Sequence, residues 1–122
     1  MRSRSELDKD FEIEAYRKKN ADVIKLSGQV NDFTADAISK VIDDMLQKEE
    51  APRIVFDLSD VAFMGSSGLG QIMRAYRAQK GTEGYVRLVD PQPLIRDLFR
   101  LTKLDKLLDI YPAVDEAIYD EQ

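Results

Sequence analysis

Neither cysteine nor histidine occurs in the 122-residue sequence. Without cysteine there is no disulfide framework and no thiol nucleophile. Without histidine there is no Ser-His triad, and the two absences together remove every Cys/His zinc pattern. Histidine is also the most usual general base, so its absence weighs against much ordinary hydrolytic chemistry; a carboxylate-held Mg²⁺ is the metal option left open. Long apolar runs are missing too, none approaching the roughly 20 residues that span a bilayer. The opening Met1 to Asp8 has two arginines but no apolar segment after them, unlike a secretory signal. It reads as a disordered or adaptable tail over residues 1–8, ahead of a domain over 9–120. An excess of positive charge is lacking as well. Lys and Arg number 18 against 23 Asp and Glu, a formal net charge of −5, which supplies no broad phosphate-neutralising surface for nucleic acid. The expectation is one cytoplasmic domain with no catalytic residue, metal, cofactor, nucleic-acid partner or membrane insertion.

What is present is periodicity. Phe11, Ile13 and Ala15 alternate with Glu12, Glu14 and Tyr16, the period of a half-buried strand. Lys18-Lys19-Asn20 reads as a tight turn. Val23 to Gly28, with Ile24 and Leu26 on one face, returns as the second strand of an antiparallel hairpin. Ile38, Val41, Ile42, Met45 and Leu46 then recur at helical spacing, with Asn31, Asp32 and Thr34 as candidate N-caps and Pro52 beyond the end. Ile54-Val55-Phe56 is a short continuous apolar run, as in a central strand buried on both faces, and Asp57 is expected at its C-terminal end. Leu58 to Met64 reads as a connection to Gly65-Ser66-Ser67-Gly68-Leu69-Gly70. Leu69, Ile72, Met73 and Tyr76 mark a second helix that ends before Gly81 and Gly84. A strand over Tyr85 to Val89 follows, then a short helix marked by Leu94, Ile95, Leu98 and Leu101. An edge strand over Leu107 to Tyr111 and a terminal helix over Ala113 to Tyr119 complete the chain.

The order β-β-α-β-α-β-α-β-α predicts an α/β fold with a mixed sheet of four to five strands and about four helices. The hairpin is antiparallel and the later strands mainly parallel. Asp57 and the glycine-serine loop are both expected near the C-terminal edge of the sheet, where such folds meet ligands and partners.

From Asp57-Leu58-Ser59-Asp60-Val61-Ala62-Phe63-Met64 into Gly65-Ser66-Ser67-Gly68-Leu69-Gly70, the chain resembles the STAS family, which includes the bacterial anti-sigma factor antagonists. The family pattern is a strand ending in Asp-Leu-Ser, an aromatic, and an acidic residue followed by Ser-Ser-Gly-Leu-Gly at a helix start. Leu26-Ser27-Gly28 with Thr34-Ala35, and Leu101-Thr102-Lys103-Leu104-Asp105-Lys106, fall in the family's order, so the likeness runs from about Phe11 to Ile118. The resemblance implies a single STAS-like domain that acts by binding. Its implied partner is an anti-sigma factor that is also a serine kinase of histidine-kinase-like ATPase fold, and a serine phosphatase is a further partner it allows. Phosphorylation would end the binding and so influence sigma-factor-dependent transcription. The implied phosphorylation site is Ser66, with Ser67 as second choice. The implied partner contacts are Asn31, Asp32, Phe33, Met64, Gly65, Ser66, Ser67, Gly68, Gln71 and Arg74. The chain departs from the family at Gly65, where an acid is usual, and at Gln29 and Asn31, where acids are common; Asp32 is the carboxylate that could stand in.

Residue chemistry alone offers plainer readings of these positions. Ser66 or Ser67 can be a helix N-cap, in which case Ser66→Ala costs about 0.5–2 kcal/mol. A helix start also suits a phosphate, through unpaired N–H groups and the positive end of the dipole. The glycine spacing fits neither a dinucleotide fingerprint nor a P-loop, which needs a following lysine. Asp57 with Asp60 could suggest a receiver-like phosphoacceptor, but where that chemistry wants an acidic pair this chain has Tyr16-Arg17-Lys18-Lys19. Asp57 is therefore expected to be structural. Phe63 and Met64 are expected in or at the rim of the core, and Arg74 and Arg77 outside the apolar stripe. The alternative function is a STAS docking subunit of a lipid-transport or signalling complex that works without phosphorylation.

Overall fold

A computed structural model describes residues 11–48 and 50–119, and within them the hydrophobic periods sort into five strands and four α-helices. The tail expected over 1–8 lies outside the described residues. Strands β1 (Phe11–Lys18) and β2 (Ala21–Val30) form the expected hairpin, with Phe11 opposite Gly28 and Lys18 opposite Ala21. Phe11 and Ile13 pack on the core, whereas Ala15 at the far end of the same face is exposed. Strands β3 (Arg53–Met64), β4 (Tyr85–Val89) and β5 (Ile110–Tyr111) add in parallel, giving the order β1-β2-β3-β4-β5. Helices α1 (Asp32–Lys48), α2 (Ser66–Gln79), α3 (Pro93–Leu101) and α4 (Val114–Tyr119) complete the layers.

The apolar run Ile54-Val55-Phe56 is continuous because its residues feed two cores. Ile54 and Phe56 join Ile24, Leu26 and Leu88 under Ile38 and Ile42 of α1, Ile72 of α2, and Ile95 and Phe99 of α3. Val55 faces the other way, with Val23 and Val89, against Ala117 and Ile118 of α4. A strand with both faces covered has no polar side to alternate.

Two expectations are corrected. Leu58 to Met64 is not a connection: it is the second half of a 12-residue β3, still paired with β2 as far as Val30 opposite Met64. Two bulges hide it. Between the pairs Lys25–Asp57 and Ser27–Asp60, β3 takes three steps to two on β2; between Gly28–Val61 and Gln29–Phe63 it takes two to one. Each extra residue breaks the period of two that marks a strand in sequence, and Gly28, at φ 87°, absorbs the second irregularity. The expected edge strand over Leu107 to Tyr111 also shrinks to Ile110–Tyr111. A 3₁₀ turn at Leu104–Lys106 takes up the chain before it, with Leu104 and Leu108 buried as its anchors.

Asp57 is consequently not at a strand end but inside the sheet, opposite Lys25 and Val89 and only 8% exposed. Its work is local. Oδ1 accepts hydrogen bonds from the Ser59 amide (3.1 Å) and the Ser59 hydroxyl (2.8 Å), while Gln92 Nε2 donates to the Ser59 carbonyl at 3.0 Å. Side chains thus satisfy the backbone groups of the residue that the first bulge displaces, as buried backbone requires.

Candidate functional site

Two helix starts meet beyond the C-terminal ends of β2 and β3, joined by the Gly65 amide donating to the Val30 carbonyl at 2.9 Å. The first is closed. Of the three candidate caps for α1, Asn31 is the cap: its Oδ1 accepts from the amides of Phe33 (2.9 Å) and Thr34 (3.1 Å). Thr34 Oγ1 accepts from the Asn31 amide at 2.8 Å and donates to the Gln29 carbonyl at 3.0 Å. This is a reciprocal capping box with threonine in the usual Glu/Gln position.

The second start is open. Its N-cap residue is Gly65, in extended conformation, and no side chain caps it. Ser66 is therefore the first helical residue and not the cap, which removes the stability cost expected of Ser66→Ala. The amides of Gly68 and Leu69 bond to the Gly65 carbonyl, so those of Ser66 and Ser67 stand among the unpaired donors that a helix start leaves. The two serines differ sharply. Ser66 is exposed, whereas Ser67 Oγ is buried without a hydrogen-bond partner.

The three glycines also have different jobs. A Cβ on Gly68 would come within 2.5 Å of Val30 Cγ1 and 2.9 Å of Met64 Cγ, so α2 can sit this close to β2 and β3 only with glycine there. A Cβ on Gly65 would make only ordinary contacts, the nearest to the Phe63 ring at 3.6 Å, and one on Gly70 would meet nothing. Neutral Gly65 is thus not imposed by packing.

The structure divides the sequence-derived contact residues into three groups. Asp32, Phe33 and Ser66 are exposed, with Asn31, Gly65, Ser67 and Gln71 partly so. Met64 and Gly68, expected at the contact surface, are buried and support the loop from beneath. Arg74 is engaged within the chain. Its guanidinium donates to Asp43 Oδ1 (2.7 Å), the Ser39 carbonyl (2.9 Å), Ser39 Oγ (3.0 Å) and Gln71 Oε1 (3.2 Å), holding α2 against α1. Asp57 and Asp60 do not form an isolated acid pair. Lys25 stands 3.5 Å from Asp60, and the charge of Asp60, then its hydrogen bond, then the charge of Asp57 push the Lys25 pKa up.

Sequence reading missed an apolar groove of about 250 Å³ beside the loop, lined by Phe63 and Met64 from β3 and by Leu94, Leu98 and Leu101 from α3. Phe63, Leu94 and Leu101 are 46%, 66% and 80% exposed, and Phe33 at the start of α1 is 84% exposed. The signal was the width of the stripe. Leu94, Ile95, Leu98, Phe99 and Leu101 are too many for one face of a nine-residue helix. Ile95 and Phe99 take the core, leaving Leu94 and Leu101, seven apart, on the same outward side.

Known proteins share the sequence pattern and the fold. The STAS domain family model matches residues 12–117. The chain is 28% identical over 102 residues to the anti-sigma F factor antagonist of Paenibacillus polymyxa, spanning 84% of this chain and 87% of that protein. Among solved structures, an anti-sigma factor antagonist from Mycobacterium paratuberculosis matches with a TM-score of 0.79 at 29% identity, over 88% of this chain and 91% of that one. The anti-sigma factor antagonist SpoIIAA in its unphosphorylated form shares the fold, with a TM-score of 0.76 at 23% identity over 88% of this chain and 93% of that one. With nearly the whole described chain matched, and with a mixed five-stranded sheet whose third strand leads into an open serine helix start, the chain belongs to the STAS domain family.

Proposed function

We propose that this protein is an anti-sigma factor antagonist, a partner-switching regulator that binds an anti-sigma factor through the start of α2 and its apolar surroundings. Phosphorylation of Ser66 turns the binding off. The carrying observation is the contrast between the two serines: Ser66 is exposed at the first position of an uncapped helix, while the Ser67 hydroxyl is buried. A kinase needs an accessible hydroxyl, and its product needs a place for about −1.5 to −2 charges. Unpaired amides and the positive end of the dipole favour an anion there by about 0.3–1 kcal/mol. Like charges brought together across an interface cost several kcal/mol, so phosphate disrupts binding far more than folding. Phe33, Phe63, Leu94 and Leu101 supply the exposed apolar area that an interface core requires. The kinase activity of the partner, a phosphatase that resets the switch, action in the cytoplasm and an effect on sigma-factor-dependent transcription belong to the same proposal. No helix among the described residues is long and apolar enough to cross a membrane.

The test is Ser66→Asp, measured against the anti-sigma factor. Partner affinity is expected to fall roughly tenfold or more with the thermal melt unchanged, less than with true phosphate, which has more charge and three acceptor oxygens. A second reading, a docking subunit that is never phosphorylated, is favoured by the neutral residues at Gly65, Gln29 and Asn31, since no carboxylate at those positions can orient the hydroxyl. Undiminished binding by Ser66→Asp would favour that reading.

A further inference from the structure

The opposite end of the sheet holds a cavity of about 870 Å³ at the starts of β3 and β4. It is an open cleft, and its volume falls in the range of small-molecule sites, roughly 300–1,000 Å³. Arg87 of β4 lines it and is only 7% exposed. Its Nη1 donates to the Ala117 carbonyl of α4 at 2.7 Å, and the guanidinium lies 3.7 Å from the Tyr85 ring centre and 5.6 Å from that of Tyr111. No carboxylate pairs with it among the described residues. Nε and Nη2 have no hydrogen-bond acceptor there either. Neither is sealed from solvent, for among the described residues the sealed and unpartnered side-chain atoms are Ser67 Oγ and Tyr85 Oη. The unused edge, Nε with Nη2, is the fork that meets an oxyanion with two parallel hydrogen bonds.

A guanidinium is always charged, and at 7% exposure the free edge of Arg87 keeps only a little water, so an anion taking two parallel hydrogen bonds would be a stronger partner than the solvent left to it. Lys19 and Arg53 stand on the same lining against Glu83 and Asp109, so among the described residues three cations face two carboxylates in a chain that is acidic overall. Tyr76 and Tyr119 add flat apolar wall.

We propose that this cavity binds a small organic anion. Its carboxylate or phosphate meets the free edge of Arg87 with Lys19 and Arg53 nearby, and its flat apolar part lies against the tyrosines.

The test is an NMR titration of the ¹⁵N-labelled full chain with phenyl phosphate and, separately, with benzoate, which sorts the phosphate form of the ligand from the carboxylate form. Saturable shifts of the Arg87 Nε–H and of the Arg53 and Tyr85 amides by either probe are expected, about tenfold tighter than with inorganic phosphate. Arg87→Lys keeps the charge but loses the fork, and should weaken binding about tenfold or more. Arg53→Gln, on the lining, should weaken it roughly threefold. If Arg87→Lys does not fold, Arg53→Gln decides. Absence of saturation by both probes, affinity equal to that for inorganic phosphate, or an unchanged response in Arg53→Gln would overturn the proposal.

Discussion

At the start of α1, Asn31 and Thr34 close the helix with reciprocal hydrogen bonds; at the start of α2, tied to it through Gly65 and Val30, no side chain does so. The neighbours share a sheet edge and a packing clamp, Arg74, yet one spends its donors on its own chain and the other keeps them open. A cap contributes typically ~1 kcal/mol. With Gly65 in the cap position of α2 only about a few tenths of a kcal/mol of this is given up, and what remains is a surface with its first amides open. Stability is concentrated beside the site and withheld from it.

That contrast can be broken in graded ways. The largest effect is expected from Gly68→Ala, which drives a methyl into Val30 and Met64 and pushes α2 off the sheet edge. Overpacking of this kind costs about 1–3 kcal/mol in a denaturant melt, and partner binding should fall with it. Next is Asn31→Ala, which unlocks the closed start: a loss of about 0.5–2 kcal/mol is expected, read from the same melts. Smallest is Ser66→Ala. Because Ser66 caps nothing, its melt should match the parent within about 0.5 kcal/mol, the usual range for a surface substitution away from special features. A Ser66→Ala loss as large as that of Asn31→Ala would erase the distinction between the two starts.

The sequence carried this contrast only in part. Its regular periods were legible: Ile24 and Leu26, Ile54 to Phe56, and Leu69 to Tyr76 each fell in the element their spacing announced. The second half of β3 was not, because two bulges shift the pleat between Asp57 and Phe63 and a shifted pleat has no period to read. The roles of Arg74 and Arg87 were hidden for another reason. Each depends on groups some 30 positions away, Ser39 and Asp43 for one and Ala117 for the other, and local spacing holds no record of such partners. Ser66 and Ser67 were both visible as candidates, but which hydroxyl faces outward depends on the helix beginning one residue after Gly65, and boundaries are what a sequence specifies least.

The central claim is that the open helix start is a phosphorylation switch at Ser66, and phosphosite mapping of the full chain purified from its own host tests it most directly. Intact mass and peptide fragmentation on the parent, Ser66→Ala and Ser67→Ala proteins would be compared across growth conditions. One added phosphate on Ser66 is expected in the parent and in Ser67→Ala, and none in Ser66→Ala. A phosphate that persists in Ser66→Ala, on Ser67 or on Asp57, or its absence from the parent under every condition, would contradict the account.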